Sequence, residues 1–327
     1  MQKIKEHSCL SSIKLSPKQR IGLLLFLVAV IMTLFMTINL GNNLHYILVR
    51  RGYILFTMVI VAFAASISTV LFQSVTNNRI LTPSLMGFEA LFILIQTLIV
   101  FFYSGTSSYW LFNIIKFIGE SCLLVAFSVL LYRWLFSSVH FNINLILMIG
   151  IVLGTLFRSA ATLLQRLLDP NEFSVLQSRM FATFTKTTPE LIWFSALVVF
   201  FFGFILWRKR YVFDVLALGR SHAINLGVDY RRTVTTTLLL VSILVAVSTA
   251  LVGPLTFLGL MVANLAYLLA GSCQHRYILP TAFLLAVIAL IGGQLILEYG
   301  LHMAGSLSVV LEFIGGIFFI YLVLKRF

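Results

Sequence analysis

A chain of 327 residues in which 60% are hydrophobic and only 10% charged does not fit the soluble globular class, whose charged fraction is about a quarter. The net charge of +13 would suggest a nucleic-acid partner in a soluble chain. No basic helix interleaved with stacking aromatics lies outside the apolar runs, which argues against nucleic acid and assigns the basic excess to membrane topology.

Residues 1–20 carry Lys3, Lys5, Lys14, Lys18 and Arg20 ahead of an apolar run with no small-residue cleavage site after it. This reads as a cytoplasmic N-terminal segment followed by a retained first helix, with 21–327 forming one transmembrane domain. Apolar runs of spanning length fall at 21–40, 53–72, 85–103, 111–132, 143–164, 190–207, 233–252, 255–271, 280–298 and 307–324, an all-α polytopic architecture of ten helices. With both termini inside, sixteen Lys and Arg lie on the cytoplasmic side and five (Arg50, Arg51, Arg166, Arg179 and Lys186) on the other. The positive-inside rule favours that orientation.

Two interruptions punctuate the hydrocarbon. Asn77-Asn78-Arg79 with Thr82-Pro83 breaks one stretch and Gly253-Pro254 another, each Pro standing where a new helix would place its first residue. Broken helices in both halves of a chain mark transporters built from repeats, whereas ordinary tight turns would leave the same trace. The connection at 165–189, with Asp169-Pro170-Asn171, is long enough for a small helix on the outer face.

The most polar stretch is Tyr211 to Arg232. A helix start is expected at Asp214, whose carboxylate can cap the next turn, then an apolar run through Val215, Leu216 and Leu218 to a break at Gly219. A second short helix, Ser221 to Leu226, stops at Gly227. Two helices this short need their apolar side chains docked, either on lipid headgroups or in a partner's groove. The flanking Arg208, Lys209, Arg210, Arg231 and Arg232 suit headgroups equally well.

Catalytic and metal-binding patterns are absent from the sequence. There is no Walker A run, HExxH, CxxC or Gly-x-Ser-x-Gly elbow; Cys9, Cys122 and Cys273 have no paired spacing, and the six histidines never fall at ligand spacing. No catalytic residue, metal or bound cofactor is therefore expected. The intramembrane charges are Glu89, Lys116 with Glu120, Arg158 and Glu312, each of which must face protein or a water-filled path. Lys116 and Glu120, four apart, are expected to neutralise each other.

The run Phe72 to Ala90 resembles the FecCD-type permeases of iron-siderophore ABC importers, matching at Gln73, Asn78, Leu81, Pro83 and Gly87. The polar stretch matches the same family at Asp214, Leu216, Ala217, Leu218, Gly219, Ala223, Leu226 and Gly227. Gly253 to Gly271, opened by Gly253-Pro254, matches a third motif, with Pro280, Gly315-Gly316 and Phe319 after it. Departures stand at Ala263, Asn264 and Tyr267, at Ile317, and at Arg50-Arg51, where a longer basic motif is reduced to two arginines.

The resemblance implies a type II importer permease fold and a second permease subunit, here a heterodimer partner. It also implies a cytoplasmic ATPase dimer that carries ATP and Mg and grips 213–227, and a periplasmic or lipid-anchored substrate-binding protein docking at Arg50 and Arg51. The substrate would be a ferric siderophore crossing the inner membrane, with cobalamin or haem as the alternative. Gln73, Asn78, Pro83, Gly87, Gly253, Pro254, Asn264 and Glu312 are the expected path or helix-break residues. A rival from another class is a secondary transporter that moves protons through Glu312 or Glu89.

Overall fold

The computed structural model describes residues 15–38, 43–102, 115, 117–127, 129–130, 143–185, 187–302 and 305–326. Lys116, Lys186 and Arg133 lie outside them, so the Lys116–Glu120 pair cannot be placed; Glu120 accepts from Gln96 Nε2 at 2.7 Å.

Among the described residues the fold is helical throughout. In chain order the helices are α1 Pro17–Thr37, α2 Leu44–Thr76, α3 Phe88–Phe102, α4 Phe117–Phe127, α5 Ile143–Gln165, α6 Pro170–Met180 and α7 Pro189–Arg208. They continue as α8 Arg210–Leu216, α9 Arg220–Asn225, α10 Tyr230–Val252, α11 Thr256–Leu269, α12 His275–Leu295 and α13 Leu307–Arg326. A 3₁₀ turn, Pro83–Met86, precedes α3, and a π turn, Ile296–Gly300, extends α12. Each of the ten apolar runs contains one helix, and α6 fills the long connection at 165–189.

Local chemistry sets the ends. Ser16 and Gln19 form a reciprocal capping box and Pro17 takes the first helical position, so α1 starts four residues before its apolar run. Asn77 ends α2 in the left-handed conformation (φ +50°), a geometry Asn tolerates.

Six described helices are long and apolar enough to cross a membrane. The apolar windows of α2, α10 and α12 are 67, 72 and 67% buried, whereas that of α5 is only 11% buried. The first three form the centre of the bundle, and α2 packs on both α10 and α12. The described part of α5 turns most of its surface away from its own chain. At 15 and 14 residues, α3 and α11 measure about 22 and 21 Å, too short to cross a 30 Å hydrocarbon layer alone. These are the helices that follow the two interruptions.

Candidate functional site

The polar stretch folds as two short helices, with a boundary shifted from the expected one. Helix α8 begins at Arg210, directly after the Lys209 cap of α7, so Asp214 stands inside α8 and does not start it. Its Oδ1 instead accepts from the backbone N–H of His275 at 2.7 Å and faces His275 Nδ1 at 2.6 Å. The first N–H groups of α12 have no partner within their own helix, and Asp214 satisfies one of them from 61 residues away. On its other side, His275 Nε2 lies 2.6 Å from Ser74 Oγ on α2. This file of three polar groups pins α8 to α12 and α2, two of the helices it packs against.

The apolar side chains divide by face. Phe213, Leu216 and Ala223 are buried in the bundle, so Leu216 and Ala223 are not open to a partner as expected. Leu218, Ile224 and Leu226 are 60, 50 and 63% exposed, and Ala217 and Gly227 are exposed beside them. Gly219, at φ +98°, lets α9 turn back against α8, and Gly227 at φ +82° ends the turn. The result is a wedge with one side fixed to the bundle and an apolar ridge on the other.

Behind the wedge lies the first interruption. Gln73 Nε2 and Asn264 Nδ2 both donate to the Arg79 carbonyl, at 2.8 and 3.3 Å, and Asn78 Oδ1 accepts from Ile80 N–H at 3.0 Å. The Arg79 guanidinium sits 4.6 Å over the Tyr267 ring, whose hydroxyl donates to the Val70 carbonyl at 3.3 Å. Gln73, Asn78 and Asn264 thus hold the 77–82 loop in place. That loop borders the wedge: a Cβ at Gly219 would lie 4.0 Å from Asn77 Nδ2.

The two interruptions meet inside the bundle. Pro83 and Ser84 share a cavity of about 30 Å³ with Ser68, Thr69, Ser248, Thr249, Gly253 and Gly259. Thr69 lies about 10 Å before the end of α2, so the chain after α2 re-enters the bundle before α3 starts. Gly87 approaches Gly154 of α5 backbone to backbone, where a Cβ would sit 3.0 Å from the Gly154 Cα. Gly253, at φ +100°, fits against Ala182 in the same way. Pro83 opens its 3₁₀ turn as expected, but Pro254 does not open α11, which begins at Thr256. The Thr256 hydroxyl lies 3.0 Å from Glu89 Oε2 and 3.2 Å from Glu312 Oε1, bridging the buried carboxylate to the exposed one.

At the far end of α2 the structure corrects the role of Arg51. Its Nη1 donates to the carbonyls of Phe35, Met36 and Ile38, and its Nη2 donates to the Tyr299 hydroxyl at 2.9 Å. Arg51 is 9% exposed and closes the open C-terminus of α1 against the π turn of α12. Arg50 is exposed. His275, Ser74, Thr256 and Tyr299 went unread in the sequence, since each meets its partner across a long loop with no local pattern.

Among the described residues, no group of three or more His, Cys, Asp or Glu side chains could hold a metal. The model of the FecCD transport family matches residues 17–325. The chain belongs to that family. The petrobactin import system permease protein YclO of Bacillus subtilis is 44% identical over 309 residues, covering 94% of this chain and 98% of the relative. The corresponding FatC of Bacillus anthracis is 40% identical, covering 85 and 78%. A solved structure described as a metal-chelate type ABC transporter in an inward-facing conformation superposes with TM-score 0.79 over 95% of this chain and 100% of its own, at 21% identity. The fold is thus that of a type II ABC importer permease, and the chain is a multi-pass membrane permease.

Proposed function

We propose that this chain is one of two different permease subunits of an importer that carries a ferric siderophore through the inner membrane, both of its termini being cytoplasmic. A separate ATPase dimer, holding ATP and Mg, drives the step from the cytoplasm, and a binding protein delivers the chelate outside, with Arg50 as one docking contact. The observation that supports this most is the wedge. An ATPase can move a membrane gate only through a rigid element, and α8–Gly219–α9 is fixed to α2 and α12 through Asp214, His275 and Ser74 while presenting Leu218, Ile224 and Leu226 outward. Relatives at 44 and 40% identity are named for petrobactin import, which makes ferric petrobactin the first chelate to test.

The test is reconstitution of the chain with its partner subunit, ATPase and binding protein in proteoliposomes. Uptake of radioactive iron as ferric petrobactin is expected with ATP and absent with a non-hydrolysable analogue. Equal uptake under both conditions would contradict the reading.

A further inference from the structure

The charged residue least explained by the fold is Arg158. It lies seven residues, about 10 Å, inside the C-terminal end of α5, deep for a guanidinium in a spanning helix, yet it is exposed on its own subunit. A charge at that depth faces protein or water, since lipid would impose a cost of about 3 kcal/mol on insertion scales. Its neighbours on the helix are mostly polar. Thr155, Arg158, Ser159, Thr162 and Arg166 recur at helical spacing on one face and, with Leu163, line an open cavity of about 490 Å³.

Among the described residues no acidic side chain lines that cavity. Glu89 on α3 is near enough to interact electrostatically with Arg158 but is itself buried outside the lining. The hydroxyls of Thr155 and Thr162 donate to carbonyls of their own helix, at 2.7 and 2.8 Å, so the arginines are the cationic donors this face offers. Arg166 stands eight residues from Arg158, about 12 Å along the axis, at the outer mouth in the orientation proposed above.

We propose that this face of α5 lines the path and reads negative charge: Arg166 at the mouth and Arg158 deeper in take the carboxylate or catecholate oxygens of an anionic ferric chelate in turn. A guanidinium presents paired donors that match such oxygens, and two of them 12 Å apart attract an anion along the path without one tight site that would trap it. The inference rests on the importer reading and narrows its substrate to negatively charged chelates.

The experiment uses the assembled importer with Cys9, Cys122 and Cys273 replaced by Ser and Thr162→Cys introduced between the two arginines. The thiol is reacted with an anionic methanethiosulfonate, the sulfonatoethyl reagent, and with its cationic trimethylammonium counterpart, each rate being normalised to that of a free thiol. The anionic reagent is expected to react about 10-fold faster, with Arg158→Gln and Arg166→Gln each lowering the ratio several-fold and Arg158→Lys preserving it. If neither reagent reacts, the face is buried against the second subunit and the proposal falls. A ratio that is unchanged in both glutamine variants overturns it as well. The reagent ratio does not depend on transport, so failure of ATP-driven ferric petrobactin uptake would count against the importer reading alone.

Discussion

The Asp214 carboxylate takes both the backbone N–H and the ring Nδ1 of His275, at 2.7 and 2.6 Å, and so fastens the first short helix of the wedge to the start of α12. Ser74 Oγ, 2.6 Å from the opposite ring nitrogen, carries the attachment on to α2. Asp214→Ala would leave the His275 amide and ring without this partner, at about 1–3 kcal/mol for each unsatisfied group. Amides 210–227 should then exchange with solvent faster while those in the middle of α2 and α12 stay protected. Hydrogen exchange of the purified protein measures this, and unchanged exchange at 210–227 would remove Asp214 from the attachment.

Arg51 and Arg50 should separate cleanly. Arg51→Ala orphans the carbonyls of Phe35 and Met36 and leaves that of Ile38 only the Tyr299 hydroxyl at 3.2 Å, with hydrogen bonds to a charged donor contributing about 1.5–3 kcal/mol each. A clear drop in the Tm of the detergent-purified protein is expected, and a smaller one for Tyr299→Phe. Arg50→Glu should leave Tm unchanged but weaken association with the binding protein more at low salt than at high. A normal Tm for Arg51→Ala contradicts the capping role, and wild-type affinity of Arg50→Glu for the binding protein at low salt contradicts the docking role.

Glu312 shares the Thr256 hydroxyl with Glu89, and a single O–H can donate to one carboxylate at a time. Glu312→Gln should therefore be tolerated: in proteoliposomes with ATP and no proton gradient, iron uptake should stay within about two-fold of wild type, a change of well under 1 kcal/mol. Loss of uptake in this variant would show that the ATP-driven step needs the Glu312 carboxylate itself.

The spans and both interruptions were legible in the sequence because they rest on properties a single residue carries: a run of hydrocarbon, a proline with no N–H, a glycine at positive φ. The wedge was legible as two short helices but not as two faces, since six or seven residues make fewer than two turns and any apolar pair in them fits either side. Leu216 and Leu218 look alike in sequence, and only the packing of α8 on α2 and α12 sends one inward. Asp214 looked like a local cap because capping is usually local, and its actual partner lies 61 residues on. Arg51 was unreadable for a different reason: three of its acceptors are backbone carbonyls, which every sequence supplies.

Gly219, at φ +98°, holds the angle of the wedge. Gly219→Val places a β-branched side chain where L residues are strained, and the orientation of α9 should be lost with the bundle intact. Normal membrane insertion with at least ten-fold weaker ATPase association, a loss of about 1.4 kcal/mol, is expected by co-purification. Wild-type association would show that the wedge angle is not what the ATPase reads.

The most direct measurement is capture of the ATPase in detergent, where no headgroup surface exists, by Leu218→Asp, by Leu216→Asp and by a variant lacking the charges of Arg231 and Arg232. If the exposed ridge docks in the ATPase, Leu218→Asp inserts and folds normally yet loses capture and ATP-driven uptake together. Leu216→Asp lowers Tm because that side chain is core, and the arginine variant still captures the ATPase. Full capture by Leu218→Asp, with capture lost only when the arginines are removed, would contradict the coupling role of α8 and α9.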